Sequence, residues 1–480
     1  LAAAARAGGV ALDLAPGIGV IFVKSLLLRR ERLDVRLRKV RRAANLCFFA
    51  FLAGKGGDQI TVTSSRNSGA TVEVTGVHAG EGNDRVFVAD PDARYLAVHG
   101  DAGNDEIRAT AAAANGFAAF GDEGNDTLVG AGGPDVLAGG LGVDSINGGA
   151  GPDVIVGDDA VILRDAAYAV QRITGLANAA DGDDILSSSE GNDVIIGGGG
   201  ADDIDALSDG SIIVGDAGVV VFADGSADEW DVFATDGAGG DDRIDSGANA
   251  IVLGGGGADI ITLGGGFNTV VGDSGEVRRT GPGAVTQVKS TDALSGARDV
   301  ITSQGGINII LGGLGDDRID AALGSNVVIG DNGTANFGHA GSWDIESDAA
   351  SGGGADEITG GADNIIIGGA GADIITLGAG TNTVLGDDGV VRRNSAEEIL
   401  QAATTGNAGA RDVITSEGGS NVILGGLGND LIDAAQGSNV VLGDNGTANF
   451  GFGGNWDIAS DAGSGGGADE ISGGADNIII

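Results

Sequence analysis

The sequence predicts an all-β fold, an elongated right-handed parallel β-roll or β-helix solenoid built from nonapeptide repeats, with inserted loops or hairpins. Glycine contributes 94 of the 480 residues and proline only 5, while 42% of the residues are apolar and 4% aromatic. Apolar positions recur every nine residues, and the whole pattern recurs again at about 113 residues. Such arrays are stabilised by packing each unit on its neighbours, here around a thin core of Ile, Val and Leu.

The nine-residue period defines the coil. From Asp412 the chain divides into DVITSEGGS, NVILGGLGN, DLIDAAQGS and NVVLGDNGT, which places Ile414, Ile423, Ile432 and Val441 in one column. The central glycines argue against a helix, so each block predicts a short β-strand followed by a turn. Two blocks make one coil, and residue i then stacks on residue i+18 at the ~4.8 Å strand spacing. Glycine supplies turn conformations that are closed to residues with a Cβ.

The long period adds a second level of organisation. The segment that starts at Ala297 recurs from Ala410, and Trp343 recurs as Trp456. Each half-repeat ends in a Gly-Asp corner, at Gly272, Gly330, Gly386 and Gly443. A variable excursion follows each corner, and we expect it to leave the coil as a loop or hairpin and return. A surface or matrix ligand is expected to bind there, whereas packing against the flank of the coil is the open alternative for both tryptophans.

Aspartate occupies the sixth position of each Gly-rich turn. The pattern G-G-x-G-x-D-x-(Ile/Leu/Val)-x is intact as GGGGADDID from Gly197, GGLGDDRID from Gly312 and GGLGNDLID from Gly425. Four related units run in tandem between Gly121 and Val156. This pattern resembles the hemolysin-type calcium-binding nonapeptide of RTX proteins over roughly residues 54–480. The resemblance implies a β-roll that binds Ca²⁺ between successive turns, through carbonyl and carboxylate oxygens.

The metal-site residues that the resemblance implies are the first glycine and the sixth-position aspartate of these turns. They are Gly121, Asp126, Gly130, Asp135, Gly139, Asp144, Gly148, Asp153, Asp184, Gly197, Asp202, Gly254, Asp259, Asp299, Gly312, Asp317, Asp356, Gly368, Asp373, Asp412, Gly425 and Asp430. Looser copies of the turn lie at Asp58, Asp84, Asp105 and Asp193. For any single aspartate, a solvated turn residue remains the alternative.

A site needs two such turns 18 residues apart. Asp126 with Asp144 and Asp135 with Asp153 satisfy this spacing, one pair on each edge of the coil. In the long repeats the two edges of the coil carry different residues at the sixth position of the turn. Aspartate pairs on one edge face asparagines on the other, namely Asn308, Asn326, Asn364, Asn382, Asn421 and Asn439. We therefore expect one calcium edge and one edge of stacked, uncharged asparagines there.

Charge and composition exclude several classes of protein. The net charge of -43 would repel nucleic acid, anionic membranes and the chain itself unless cations neutralise it. A single cysteine, Cys47, excludes an internal disulfide, and no apolar run reaches the ~18 residues of a transmembrane helix. None of the three histidines lies in an H-E-x-x-H motif. The protease-like GDSGE at Gly272–Glu276 is one variant of the corner, so no enzyme is predicted.

Three regions are expected: residues 1–53, a basic segment outside the repeat array; residues 54–157, a nonapeptide β-roll; and residues 158–480, long repeats of coils with inserted loops. The first region permits either an amphipathic helix or a strand through Leu33. The chain is expected to be a fragment open at both ends. The predicted function is a calcium-binding structural region of a large secreted or cell-surface bacterial protein, adhesin-like or matrix-like. The alternative is the folding and export module of a secreted RTX toxin or hydrolase whose active domain lies elsewhere.

Overall fold

The computed structural model describes residues 21–23, 32–35, 47–62, 73–89, 96–110, 116–165, 169–176, 178, 181–222, 230–234, 239–280, 284–291, 296–350, 352–406, 409–451, 456–461, 466–474 and 476–480. Over these residues the elements are β-strands and one 3₁₀ turn, His339–Gly341. No helix in this part of the chain is long and apolar enough to cross a membrane. Two compact units divide the chain: Leu1–Val170 with Thr174–Ile212, and Gln171–Ile173 with Ile213–Ile480.

The first unit contains two parallel sheets whose strands alternate along the chain. The strands of the first coil sheet are Ile21–Val23, Cys47–Leu52, Glu73–His78, Leu96–His99, Ala118–Glu123, Val136–Leu141, Val154–Val156 and Val194–Gly198. The strands of the second coil sheet are Arg32–Val35, Gln59–Val62, Arg85–Val88, Glu106–Ala109, Thr127–Val129, Ser145–Asn147, Ile185–Ser188 and Asp203–Ala206. Two further strands, Ala160–Arg164 and Val170–Gly175, lie outside these sheets.

The second unit repeats this arrangement. Its first coil sheet contains Ile251–Leu253, Phe267–Val271, Ile307–Leu311, Ser325–Ile329, Ile365–Ile367, Gly380–Leu385, Gly419–Leu424, Ser438–Leu442 and Ile478–Ile479, after Ile212–Asp216 at the unit boundary. Its second coil sheet contains Arg243–Ser246, Ile260–Leu263, Val300–Ser303, Arg318–Ala321, Glu357–Gly360, Ile374–Leu377, Val413–Ser416, Leu431–Ala434 and Glu470–Gly473. The predicted all-β parallel roll is confirmed.

The residues that pair between neighbouring strands have the spacing expected of a coil made of two nine-residue blocks. Thr127 pairs with Ser145 and Val136 with Val154, in parallel and 18 residues apart as predicted. Where an excursion intervenes, the spacing rises to 40, as for Val154 and Val194.

The core is a set of stacked aliphatic columns between the two sheets. In the second unit, Ile414 and Ile432 are fully buried neighbours in one sheet, while Ile423 and Val441 are fully buried neighbours in the other. The predicted stacking of residue i on residue i+18 thus divides the apolar positions of the nine-residue blocks into two columns, one in each sheet. Branched aliphatic side chains fit such a pleated, buried surface well.

The excursions of the second unit form a third sheet, the flank sheet. Its strands pair antiparallel in chain order, so each excursion is a hairpin that joins the next one. An inner row that includes Val288, Ile345 and Val391 is fully buried. The strands are Gly218–Val221, Trp230–Ala234, Gly275–Arg279, Val285–Ser290, Gly333–Asn336, Asp344–Ser347, Gly389–Arg393, Ile399–Thr404, Gly446–Phe450 and Trp456–Ser460.

Strands of the N-terminal segment pair with the coil. Ile21–Val23 pairs in parallel with Cys47–Leu52, and Arg32–Val35 pairs in parallel with Gln59–Val62. The segment lacks the nonapeptide in its sequence, yet these strands extend the two coil sheets. Of the two conformations that the sequence permits around Leu33, the strand is the one found.

Candidate metal centre

Each Gly-rich turn delivers its aspartate to the start of a coil strand. In the turn Gly139–Asp144, Gly140 and Gly142 have φ of 105° and 125°, a region that side chains rarely enter. A Cβ on Gly139 would overlap Oδ2 of Asp144 and the carbonyl oxygen of Gly157. The turn therefore closes only with glycine at these positions, and it folds the Asp144 carboxylate inward against the backbone.

Successive aspartates form ladders along the turns. Oδ1 of each aspartate accepts a hydrogen bond from the backbone N–H of the aspartate one coil earlier, for example from Asp126 to Asp144 at 2.6 Å and from Asp135 to Asp153 at 2.8 Å. The first-unit long ladder contains Asp58, Asp84, Asp105, Asp126, Asp144, Asp184 and Asp202. The first-unit short ladder, on the other edge, contains Asp135, Asp153 and Asp193. The looser turns thus join the same ladders as the regular ones.

The second unit has one aspartate ladder, which precedes the strands of its second coil sheet. Its members are Asp242, Asp259, Asp299, Asp317, Asp356, Asp373, Asp412, Asp430 and Asp469. The predicted pairs are therefore brought together: Asp184 with Asp202, Asp299 with Asp317, Asp356 with Asp373, and Asp412 with Asp430. Asp259, which had no predicted partner, lies between Asp242 and Asp299.

The opposite edge of the second unit carries the asparagine ladder. Each Nδ2 donates to Oδ1 of the next asparagine, for example from Asn364 to Asn382 at 2.7 Å and from Asn421 to Asn439 at 2.6 Å. Its members are Asn268, Asn308, Asn326, Asn364, Asn382, Asn421, Asn439 and Asn477. Asn268 and Asn477 extend the predicted set. Every amide in this row has a neighbour that satisfies it, so the edge needs no cation.

The aspartate ladders are not satisfied in this way. Oδ2 of Asp126, Asp144 and Asp153 is buried and has no hydrogen-bond partner in the described part of the chain. The same holds for Oδ2 of Asp84, Asp105, Asp184, Asp259, Asp299, Asp317, Asp356, Asp373, Asp412 and Asp430. A buried carboxylate oxygen without a partner is costly. A whole column of them indicates that a missing group completes the turns.

Burial shifts the ionisation of these carboxyls strongly. Desolvation raises the pKa of Asp126 and Asp144 to about 7 and that of Asp153 to about 8. In the second unit, burial and then the charges of Asp259 and Asp317 raise the pKa of Asp299 to about 10. Without a cation, ionisation of these carboxyls therefore destabilises the ladders. A bound divalent cation would favour the charged form instead.

The donor set fits a hard cation. Ca²⁺ takes six to eight oxygen ligands, including carboxylates and backbone carbonyls. Across the described residues, no three His, Cys, Asp or Glu side chains lie close enough to share a metal ion. A calcium ion between two turns would therefore take two aspartates, such as Asp126 and Asp144, and complete its shell with turn carbonyls. That the predicted residues bind calcium remains a prediction.

A parallel roll with inward-folded, glycine-supported aspartate ladders defines the chain as a metal-binding repeat protein. Comparison with protein families then finds the RTX calcium-binding nonapeptide repeat (4 copies), matched at residues 120–155, 178–218, 251–276, 296–334, 358–390 and 408–447. The chain therefore carries several copies of this calcium-binding repeat across residues 120–447. No curated protein matches it.

Two features of the site were missed by the sequence analysis. The excursions pair into one sheet, whereas they were expected as separate loops or hairpins. The corner aspartates, Asp158, Asp216, Asp273, Asp331 and Asp387, are also buried in the turns, with exposures of 0–4%. Their Gly-Asp signature is visible in the sequence, but its place within the nonapeptide appears only in three dimensions.

Proposed function

We propose that the chain is a calcium-stabilised structural region of a large secreted or cell-surface bacterial protein, adhesin-like or matrix-like. The observation that carries this proposal is the column of buried aspartate oxygens without partners among the described residues, on the first-unit long ladder and on the second-unit ladder. Calcium bound there converts binding energy into folding energy, because the unfolded chain offers no preformed site. A chain with no internal disulfide whose fold is stabilised by calcium suits the exterior of a cell, where calcium is plentiful.

A structural role is also supported by the flank sheet. Its outer face carries a hydrogen-bonded polar row in which Arg392 donates to Gln401 and Gln401 donates to Asn449 at 2.8 Å. Trp456 pairs with Phe450 on the opposite face of the sheet from this row, and the two rings pack edge-on with 5.3 Å between their centroids. Trp343 is half-buried over Gly338. We place the surface for a matrix ligand on this outer face, along the row of Arg392, Gln401 and Asn449.

No catalytic role is proposed. Ser274 in the protease-like corner is 1% exposed, so a substrate has no access to its hydroxyl group. His78 and His99 stack on each other at 4.6 Å and contact Asp101 and Asp122, an arrangement that repeats from coil to coil.

A calcium titration of the full chain tests the proposal. Thermal unfolding followed by far-UV circular dichroism, in chelator and then in rising calcium, should show a loss of β-structure that moves to higher temperature with calcium and that magnesium does not shift. A chain already fully folded in chelator and unaffected by calcium would contradict it.

A further inference from the structure

In an uninterrupted turn, the first glycine contacts the turn's own aspartate. A Cβ on Gly254 would overlap Oδ2 of Asp259, five residues later, and the carbonyl oxygen of Gly272 in the next turn. Gly312 and Gly368 make the same contacts with Asp317 and Asp373. This contact identifies the first and sixth positions of a turn, whatever lies between them in the chain. Turns with this five-residue spacing are called intact turns below.

The same contact recurs across the excursions. A Cβ on the corner glycine Gly330 would overlap Oδ2 of Asp356, which lies 26 residues later, and Gly386 has the same relation to Asp412. The corner glycine and the later aspartate are therefore the first and sixth positions of one turn. The hairpin is inserted after the second position, which the corner aspartate occupies. We call these split turns; they run from Gly157 to Asp184, Gly215 to Asp242, Gly272 to Asp299, Gly330 to Asp356, Gly386 to Asp412 and Gly443 to Asp469.

Split and intact turns alternate along the second-unit ladder. Intact turns end at Asp259, Asp317, Asp373 and Asp430, and split turns end at the other five members. Among the described turns of this ladder, no two intact turns are neighbours. We call the space between two successive turns of the ladder a gap. Every gap on this ladder therefore has a split turn on one side, so a calcium ion bound in any gap must use a split turn.

The corner aspartate contacts the returning half of a split turn, as Asp331 contacts Gly353 and Asp387 contacts Gly409, and in some turns it also hydrogen-bonds to that half. Oδ1 of Asp331 accepts a hydrogen bond from the N–H of Gly354 at 2.9 Å, in the returning half of the turn. Its Oδ2 accepts one from the N–H of Ala370 at 2.5 Å, the third residue of the neighbouring intact turn. Asp216 makes the equivalent pair with Gly240 and Gly256. The carboxylate, 2% exposed in Asp331, thus fixes three separate segments.

Split turns also carry the feature that indicates a missing cation. Oδ2 of Asp299, Asp356 and Asp412 is buried and lacks a partner among the described residues, as it does in the intact turns. The exposures of these three side chains are 0%, 1% and 0%. The break in the chain has therefore left the inward face of the turn unchanged.

We propose that the split turns are calcium sites equivalent to the intact turns, and that the corner aspartate is a positioning residue that closes each of them. This inference rests on the proposed calcium function and assigns it to particular gaps. The nine ladder aspartates leave eight gaps, each with one intact and one split turn. Calcium in these gaps ties the base of every flank hairpin to the coil, so the flank sheet is ordered by metal as well.

The test counts calcium ions bound to the full chain by equilibrium dialysis. Asp331→Asn combined with Asp387→Asn alters two split turns, which border four gaps. The double variant should lose about four tightly bound ions, and calcium should no longer protect its flank hairpins from trypsin, for example after Arg392. Asp433→Asn is the matched control, because it removes one charge from an exposed side chain and should lose none. A double variant with wild-type count and wild-type protection would overturn the inference.

The wild-type count provides a measurement that needs no variant. The two first-unit ladders contain seven and three aspartates, hence six and two gaps, and the split turn that ends at Asp184 borders two of these. Intact turns alone therefore offer six gaps, and split turns add two in the first unit and eight in the second. A count above six supports the inference, and a count of six or fewer overturns it. If calcium binds and Asp126→Asn weakens it while the corner variants do not, only this inference fails. If no calcium binds at all, the proposed function fails with it.

Discussion

Replacing Asp144 with asparagine is predicted to stabilise the metal-free protein and to destabilise the calcium-loaded protein. Asp144 is 1% exposed, and its Oδ1 accepts a hydrogen bond from the N–H of Asp126 at 2.6 Å. Asparagine retains an acceptor for that N–H and removes the buried charge. The asparagine ladder shows that this residue fits such a position, since Asn382 and Asn421 occupy the corresponding turns of the other edge.

The magnitude in chelator follows from the pKa. Burial raises the pKa of Asp144 from 3.8 to about 7. Each pKa unit corresponds to about 1.4 kcal/mol, so removing the charge at pH 8 stabilises the metal-free fold by up to ~4 kcal/mol. In calcium the sign reverses. A site held at 100 times its Kd contributes about 2.7 kcal/mol, and Asp144 borders two gaps, so the variant loses roughly 5 kcal/mol of binding, which exceeds the ~4 kcal/mol gained by removing the charge and leaves a net loss of about 1 kcal/mol.

Thermal unfolding of the full chain at pH 8, in chelator and in excess calcium, measures both effects. At about 2–4 °C per kcal/mol for a domain of 150–250 residues, the variant should unfold about 8–16 °C higher in chelator and a few degrees lower in calcium. Glu123→Gln removes a charge from an exposed side chain near Asp126 and should shift neither value by much. A variant that moves the transition in the same direction in both conditions would refute the reasoning.

Three further predictions concern pH, the turns and the asparagine ladder. The metal-free protein should lose stability as pH rises from about 4 to about 8, because Asp126, Asp144 and Asp184 have pKa values raised to about 7 or 8 and the folded chain therefore binds more protons than the unfolded one. The stabilisation added by calcium should grow over the same pH range. Urea titrations at pH 5 and pH 8 measure both effects, and a metal-free stability that rises with pH would contradict the prediction. Gly254→Ala should destabilise the protein with or without calcium, since its Cβ would overlap Asp259 and Gly272, whereas Gly265→Ala, which meets nothing within 4 Å, should be tolerated; equal melting temperatures for the two would contradict this. Asn382→Ala should lower the free energy of unfolding by about 2–5 kcal/mol, because it leaves buried amides of Asn364 and Asn421 unsatisfied. The loss should be equal in calcium and in chelator. A calcium-dependent loss in denaturant titrations would indicate that metal binds at the asparagine ladder and would contradict the prediction.

Much of the coil was predictable because its constraints are local. The nine-residue period fixes which side chains face inward, as Ile423 and Ile432 show, and the 18-residue spacing fixes the pairing of Asp126 with Asp144. The divergence of the two edges was also visible, because asparagine replaces aspartate at one sixth position and not at the other. These features need no knowledge of distant contacts.

The flank sheet and the split turns were not predictable in the same way. Whether one excursion pairs with the next depends on contacts such as Gln287 with Asn336, 49 residues apart, for which the sequence shows no period of nine. The role of Asp331 depends on Gly354 and Ala370, which the hairpin and the next coil bring to it. A motif search that requires six consecutive residues does not detect a turn interrupted by a hairpin.

Anomalous diffraction from crystals of the full chain grown with calcium tests the central claim most directly. Peaks are predicted between successive turns of the aspartate ladders, including the gaps Asp126–Asp144 and Asp135–Asp153, and none beside the asparagine ladder. An identical fold without peaks on the aspartate ladders, or with peaks along Asn382 and Asn421, would contradict it.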